Sequence, residues 1–199
     1  MKIVGLTGGI GMGKSTAAAM LRRMGFPVHE ADSVVHALLR KGGAGVKPVA
    51  KLFPGALRKQ AIDRKRLGLE VFAKPARLKR LEKILHPLVQ AAEAEFLAGA
   101  RRGGARAAIL DIPLLFETGA EKRCDAVICV TAPKALQRAR VMARPGMTAA
   151  KFRAIVKRQM PDTEKRRRAD YRADTGSGLA ATRRQLRHIM DAIVKGSHA

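Results

Sequence analysis

Eight residues near the amino terminus carry the clearest chemistry in the chain. Gly8-Gly9-Ile10-Gly11-Met12-Gly13-Lys14-Ser15 satisfies G-x-x-x-x-G-K-[ST] at every fixed position. Glycines at 8, 9, 11 and 13 let the backbone curl until successive N–H groups, that of Met12 included, converge on one anion. A helix opening at Ser15, with Thr16 in its first turn, adds its positive end to the same point. In such a loop Lys14 reaches the β- and γ-phosphates of a nucleotide, and the Ser15 hydroxyl is suited to ligate Mg²⁺. The motif follows Lys2-Ile3-Val4-Gly5-Leu6, an apolar run of the kind buried in parallel sheets. It precedes a helical pattern from Ser15 to Met24 that Gly25 ends. A chance glycine turn beside a lysine would lack that context.

A phosphate cradle does not separate a kinase from a GTPase or a nucleic-acid translocase, so the other strand ends have to decide. Ligands of open parallel sheets sit at the carboxyl ends of the strands. The run Pro27–Asp32 reads as a second strand, and Asp32 at its end is expected to face the cradle. There it can take the proton of an acceptor hydroxyl; read locally, it can equally cap the helix expected over Ser33–Arg40. Asp111 ends the strand Ala107–Asp111, where it either organises Mg²⁺ or opens the Pro113 turn as a surface carboxylate. Arg138, Arg140 and Arg144 fall on a helix from Pro133 to about Arg144. Arg140 and Arg144, four apart, share a face suited either to a lid over phosphates or to plain solvation. His86-Pro87 breaks a long helical pattern and reads equally as a binding, packing or capping pair.

These residues need a frame, and the pattern supplies one. Further helices are expected over Arg64–Ala73 and from Pro75 to about Ala98, with a Gly/Pro-rich loop from Gly42 to Gly55 before them. Asp125–Val130 is another strand, Thr148–Gln159 and Asp162–Arg168 are basic helical stretches, and Leu179 to Val194 is a last helix. Strands alternating with helices imply an α/β fold with a parallel sheet covered on both faces. Gly196-Ser197-His198-Ala199 has the composition of a cloning remnant and is given no function.

The 199 residues suit one domain with a core of its own, and 47% hydrophobic content argues against disorder. The amino terminus is too short in apolar residues for a signal peptide, and no run approaches a membrane span, so a soluble cytoplasmic protein is expected. Cys124 and Cys129 suggest neither a zinc site nor a disulfide framework. The formal net charge of +24 is spread along the whole chain, with one dense run at Lys165-Arg166-Arg167-Arg168. With 4% aromatic residues there is little to stack on bases, so the charge suits polyanionic small ligands and no specific nucleic-acid partner is expected.

Taken together, the residues resemble the dephospho-coenzyme A kinase family along nearly the whole chain. The resemblance rests on Gly5 through Thr16, Ala31-Asp32, Leu85-His86-Pro87-Leu88, and Asp111-Ile112-Pro113-Leu114-Leu115-Phe116-Glu117. Gln137 with Arg140 and Arg144, Gln159 before Ala169-Asp170, and Thr175-Gly176-Ser177 complete it. It implies transfer of the ATP γ-phosphate to the ribose 3′-hydroxyl of dephospho-coenzyme A, with ATP and Mg²⁺ required. It implies Asp32 as base, Lys14, Arg140 and Arg144 as further catalytic groups, and residues 8, 9 and 11–16 around ATP. Ser15 and Asp111 would hold the metal, and His86, Pro87 and Leu115, with Asp32, would contact the substrate. The implied architecture is a P-loop kinase core (about 1–40, 101–144 and 169–199), a helical substrate-binding insertion (about 41–100) and a helical lid (about 145–168). A monomer or small homo-oligomer is expected. Two positions depart from the family pattern: Glu30-Ala31-Asp32 replaces Asp-Ala-Asp, and Arg172-Ala173-Asp174-Thr175 replaces an apolar pair followed by asparagine. A kinase for another small acceptor and a nucleic-acid-binding P-loop protein are the competing readings.

Overall fold

The computed structural model describes residues 1–71 and 74–196. Its elements in chain order are β1 (Lys2–Thr7), α1 (Lys14–Arg23), β2 (Val28–Glu30), α2 (Ala31–Leu39), α3 (Val46–Leu52), β3 (Leu57–Arg58), β4 (Ala61–Ile62) and α4 (Arg64–Val71). There follow α5 (Pro75–Arg102), β5 (Ala107–Asp111), β6 (Ala126–Thr131), α6 (Lys134–Met142), α7 (Ala149–Arg158), α8 (Asp162–Arg168), β7 (Tyr171–Asp174) and α9 (Leu179–Lys195). The chain divides into two compact units, one of Met1–His29 with Ala100–Ala199, the other of Glu30–Gly99. Among the described residues no helix is long and apolar enough to cross a membrane.

The first unit is built on a five-stranded sheet in the order β2-β5-β1-β6-β7. β1 pairs in parallel with β5, Leu6 beside Asp111, and with β6, Thr7 beside Cys129; β6 pairs in parallel with β7. Parallel strands buried on both faces need apolar side chains at every position rather than at alternate ones. β5 meets that demand, since all five of its residues are buried. On one face Val4, Leu6, Ile109, Ile128 and Ala173 pack under Ala17, Ala18 and Leu21 of α1 and Leu186, Ile189, Met190 and Ile193 of α9. Each fully buried Leu or Ile in this layer contributes about 1.5–3 kcal/mol. The other face is covered by the segment after β5, where a Cβ on Gly5 would lie 2.7 Å from Leu115 Cδ1. Helices therefore cover both faces of a mostly parallel sheet. Because β1 lies centrally with β5 and β6 on its two sides, the loop leaving β1 opens at the switch point where such folds bind ligands.

The second unit holds a separate core of Leu39, Val46, Val49, Phe53, Ile62, Leu67, Val71, Leu81 and Leu85. Arg77 covers the Phe53 ring at 5.6 Å and pairs with Glu70 at 3.3 Å.

The structure departs from the sequence pattern at several points. The second strand stops at Glu30, so Asp32 does not end it; Asp32 lies in the first turn of α2, after the N-cap residue Glu30. The Gly42–Gly55 stretch is not all loop, because Val46, Val49 and Phe53 have a core to enter and Pro48 falls in the first turn of α3, where its missing N–H costs nothing. His86-Pro87 does not break a helix either. Pro87 lies inside the 28-residue α5, which Leu81 and Leu85 anchor to the core. β7, with two charged residues among its four, was not expected. The helix ending expected at Ala73 and the segment Ser197–Ala199 lie outside the described residues.

Candidate phosphate-binding site

The loop from Gly8 to Gly13 is folded on itself, Met12 donating its N–H to the Gly9 carbonyl at 3.1 Å. Gly11 has φ +77° and Gly13 φ +86°, left-handed values that a side chain would strain. Space forbids one as well: a Cβ on Gly11 would meet Val141 Cγ2 at 2.5 Å, and one on Gly13 would meet Thr175 Oγ1 at 2.8 Å. α1 begins at Lys14 with Gly13 as N-cap, no side-chain cap and no acid in its first turn. Its leading N–H groups and positive end are therefore available to an anion. Ser15 and Thr16 are exposed.

Lys14 is more enclosed than a free phosphate-binding lysine is expected to be. Its side chain is 16% exposed, and its Nζ pairs with Asp111 Oδ1. The β1–β5 register brings this about, since Asp111 sits beside Leu6 at the point where β1 runs into the loop. Asp111 is 5% exposed, which removes the surface-carboxylate reading.

The loop is fastened from outside at two places. Thr175, just past β7, donates from Oγ1 to the Met12 carbonyl at 2.8 Å, and Arg140 donates to Thr175 Oγ1 at 2.9 Å and to its carbonyl at 2.8 Å. The turn that carries Thr175 is shaped by Asp174, whose carboxyl lies below its ordinary range because the Ser177 hydroxyl and the Gly176 N–H bond to it. On the near side, Ile10 N–H donates to Gln159 Oε1 at 2.9 Å and Gln137 Nε2 donates to the Ile10 carbonyl at 2.8 Å. Cys129, one strand away, is buried and its thiol is pushed up to about 12 by desolvation, so it supplies no thiolate near the site.

The remaining expected residues fall as follows. Arg140 is half-buried on α6 and holds Thr175. Arg144 is exposed and lies beyond α6, which ends at Met142, so the two arginines do not share one helical face. His86 and Pro87 are exposed on α5, Asp32 is exposed on α2, and Leu115 is wholly buried, with no surface to offer a ligand. Asp32 makes no capping bond; Ser33 Oγ instead donates to Glu30 at 2.9 Å.

The dense basic run is not simply solvated. Lys165 has no exposed side-chain surface; its Nζ lies 2.8 Å from Glu117 Oε1 and donates to the Pro113 carbonyl at 3.0 Å. Arg168 pairs with Glu121 at 2.6 Å and covers the Phe116 ring at 4.7 Å. α8 is thereby tied to the segment that follows β5. Replacing Lys165 by Met should destabilise the fold by about 3 kcal/mol, because a partly buried Glu117 loses its cation. Adding Glu117→Gln should recover most of that loss, as denaturant midpoints of the two variants would show. Nothing local in the sequence marks this pair, since the partners stand 48 positions apart.

A mostly parallel sheet whose central strand delivers a glycine cradle to an uncapped helix, with lysine and serine at its start, defines the class of P-loop nucleotide-binding proteins. The particular family follows from comparison with known proteins. A family model for dephospho-CoA kinase matches residues 2–180. A dephospho-CoA kinase of Rhizobium meliloti is 55% identical over 98% of this chain and 100% of its own. A solved structure from Thermus thermophilus has a TM-score of 0.85 at 36% identity, covering 100% of this chain and 98% of that one. That of the Campylobacter jejuni dephospho-CoA kinase has 0.73 at 29%, covering 98% of both. The chain belongs to the dephospho-CoA kinase family, enzymes of the final step of coenzyme A biosynthesis that draw their phosphoryl group from ATP.

Proposed function

We propose that this chain transfers the γ-phosphoryl group of ATP to the ribose 3′-hydroxyl of dephospho-CoA, giving ADP and coenzyme A. The 3′-oxygen bonds to phosphorus, the bond from phosphorus to the β,γ-bridging oxygen breaks, and the hydroxyl proton passes to Asp32. The observation that carries this reading is the cradle of Gly8, Gly9, Gly11, Met12 and Gly13, closed by Lys14, Ser15 and Thr16 at the free start of α1. On this reading phosphate oxygens take Lys14 over from Asp111, which releases the carboxylate from Lys14 for another cation.

Ser15 Oγ and the Asp111 carboxylate are hard oxygen donors of the kind Mg²⁺ takes. Among the described residues no cluster of three or more His, Cys, Asp or Glu offers a self-sufficient metal site. The donor set therefore fits an ion that completes its shell with phosphate oxygens and water. Ser15 and Asp111 would hold the ion, which would supply positive charge against the negative charge of the triphosphate. Arg140 and Arg144 supply further positive charge to the nucleotide side, and the exposed His86 and Pro87 of α5 serve the dephospho-CoA side.

A coupled ADP-release assay tests the reading. Turnover is expected with dephospho-CoA and not with nucleoside monophosphates, and it should persist at moderate salt. A nucleic-acid-dependent activity that collapses as salt rises would overturn it.

A further inference from the structure

Two glutamines outside the phosphate-binding motif hold one residue of the cradle, Ile10, through the two peptides that flank it. Ile10 gives its N–H to Gln159 Oε1 and receives Gln137 Nε2 on its carbonyl, at 2.9 and 2.8 Å. A backbone N–H only donates and a carbonyl only accepts, so the orientation of both amides is fixed by their partners. Gln137 belongs to α6, and Gln159 is the C-cap residue of α7. Gln159 is itself held through its neighbour, for Met160 donates its N–H to Glu117 Oε1 at 2.8 Å and Glu117 is the partner of the buried Lys165.

Glycine loses more conformational freedom than any other residue when it is fixed, and this loop contains four. A cradle of that composition is preorganised for phosphate only if contacts from outside hold it. Thr175 holds the Met12 side, leaving Gly11 between two fastened peptides. We infer that Gln137 and Gln159 are positioning residues for the nucleotide, clamping the two peptides that flank Ile10 so that the cradle is formed before ATP arrives. The inference rests on the reading that this cradle takes the phosphates of ATP.

Replacing each glutamine by glutamate separates the clamp from simple electrostatics, because both changes add one negative charge near the same loop. Gln159→Glu keeps an acceptor for the Ile10 N–H, whereas Gln137→Glu sets a carboxylate against the Ile10 carbonyl. The affinity for a non-hydrolysable ATP analogue, measured by calorimetry, should fall about fivefold further in Gln137→Glu than in Gln159→Glu. The KM for ATP should follow, while the KM for dephospho-CoA and the melting temperature stay near wild type. Should a glutamate variant fail to fold, Gln137→Met and Gln159→Met keep the shape without the polar ends, and each should weaken analogue binding by about three- to tenfold. Equal weakening by the two glutamates, or unchanged binding in both methionine variants, overturns the clamp. Analogue binding with the expected ranking, but no ADP release from wild type with dephospho-CoA, would instead sink the substrate reading and leave the clamp standing.

Discussion

Lys14→Ala is expected to lower turnover by about 10²–10³, since it removes a preorganised charge from the place where phosphoryl charge develops. The Asp111 pairing adds a consequence for stability. Without Lys14 a carboxylate that is almost wholly buried loses its cation, so the fold should weaken by an amount approaching about 3 kcal/mol. Loss of activity in the single variant could then be blamed on misfolding, and a second substitution isolates the stability effect. Asp111→Asn in the Lys14→Ala background takes away the buried charge and should return the denaturant midpoint toward wild type. Turnover should not return with it, because neither change restores the phosphate contact and Asp111→Asn also removes a donor proposed for Mg²⁺; nucleotide-analogue affinity measured without Mg²⁺ reads the Lys14 contact by itself. Recovery of both together would mean that neither Lys14 nor Asp111 is needed for the chemistry. Near-wild-type turnover in the single variant would remove the cradle from the chemistry altogether.

The parts of this molecule that the sequence displays are those whose residue types are forced by local geometry. Only glycine fits the left-handed turns at Gly11 and Gly13, and the helix after them must begin with free N–H groups, so the cradle is visible as spelling. β5 is visible because burial on both faces admits an apolar run and little else. What stays hidden is whatever depends on a distant partner. β7 buries only Ala173 among Tyr171, Arg172 and Asp174, which leaves no pattern of strand burial to read. Lys165 reads as one cation in a solvated run until Glu117, 48 positions away, is seen beside it. Gln137, Gln159 and Thr175 are neutral residues without charge or spacing to mark them. They belong to the family's pattern, and only the fold shows what they hold.

Asp32 is where the sequence offered two roles and the structure withdraws one of them. As a helix cap it would have to accept an N–H bond from the first turn of α2, but Glu30 occupies the N-cap position and no side chain caps the helix. What remains locally is a negative charge in the first turn, worth about 0.3–1 kcal/mol to the helix at most. Asp32→Asn should therefore cost no more than that in stability. It keeps the size and one oxygen of the side chain while abolishing its basicity. If Asp32 takes the 3′-hydroxyl proton, turnover should fall by about 10²–10⁴, or about 3–5 kcal/mol of transition-state stabilisation. The affinity for ATP should hardly move, because the cradle, Lys14 and the start of α1 bind the phosphates without help from this carboxylate. The KM for dephospho-CoA should change far less than kcat, since the group acts on a proton in flight rather than on the bound ground state. A variant with wild-type turnover would take Asp32 out of the mechanism, and one that lost ATP affinity in proportion to turnover would make it a binding group. A loss confined to kcat, with the melting temperature within a few degrees of wild type, is the result that assigns the base.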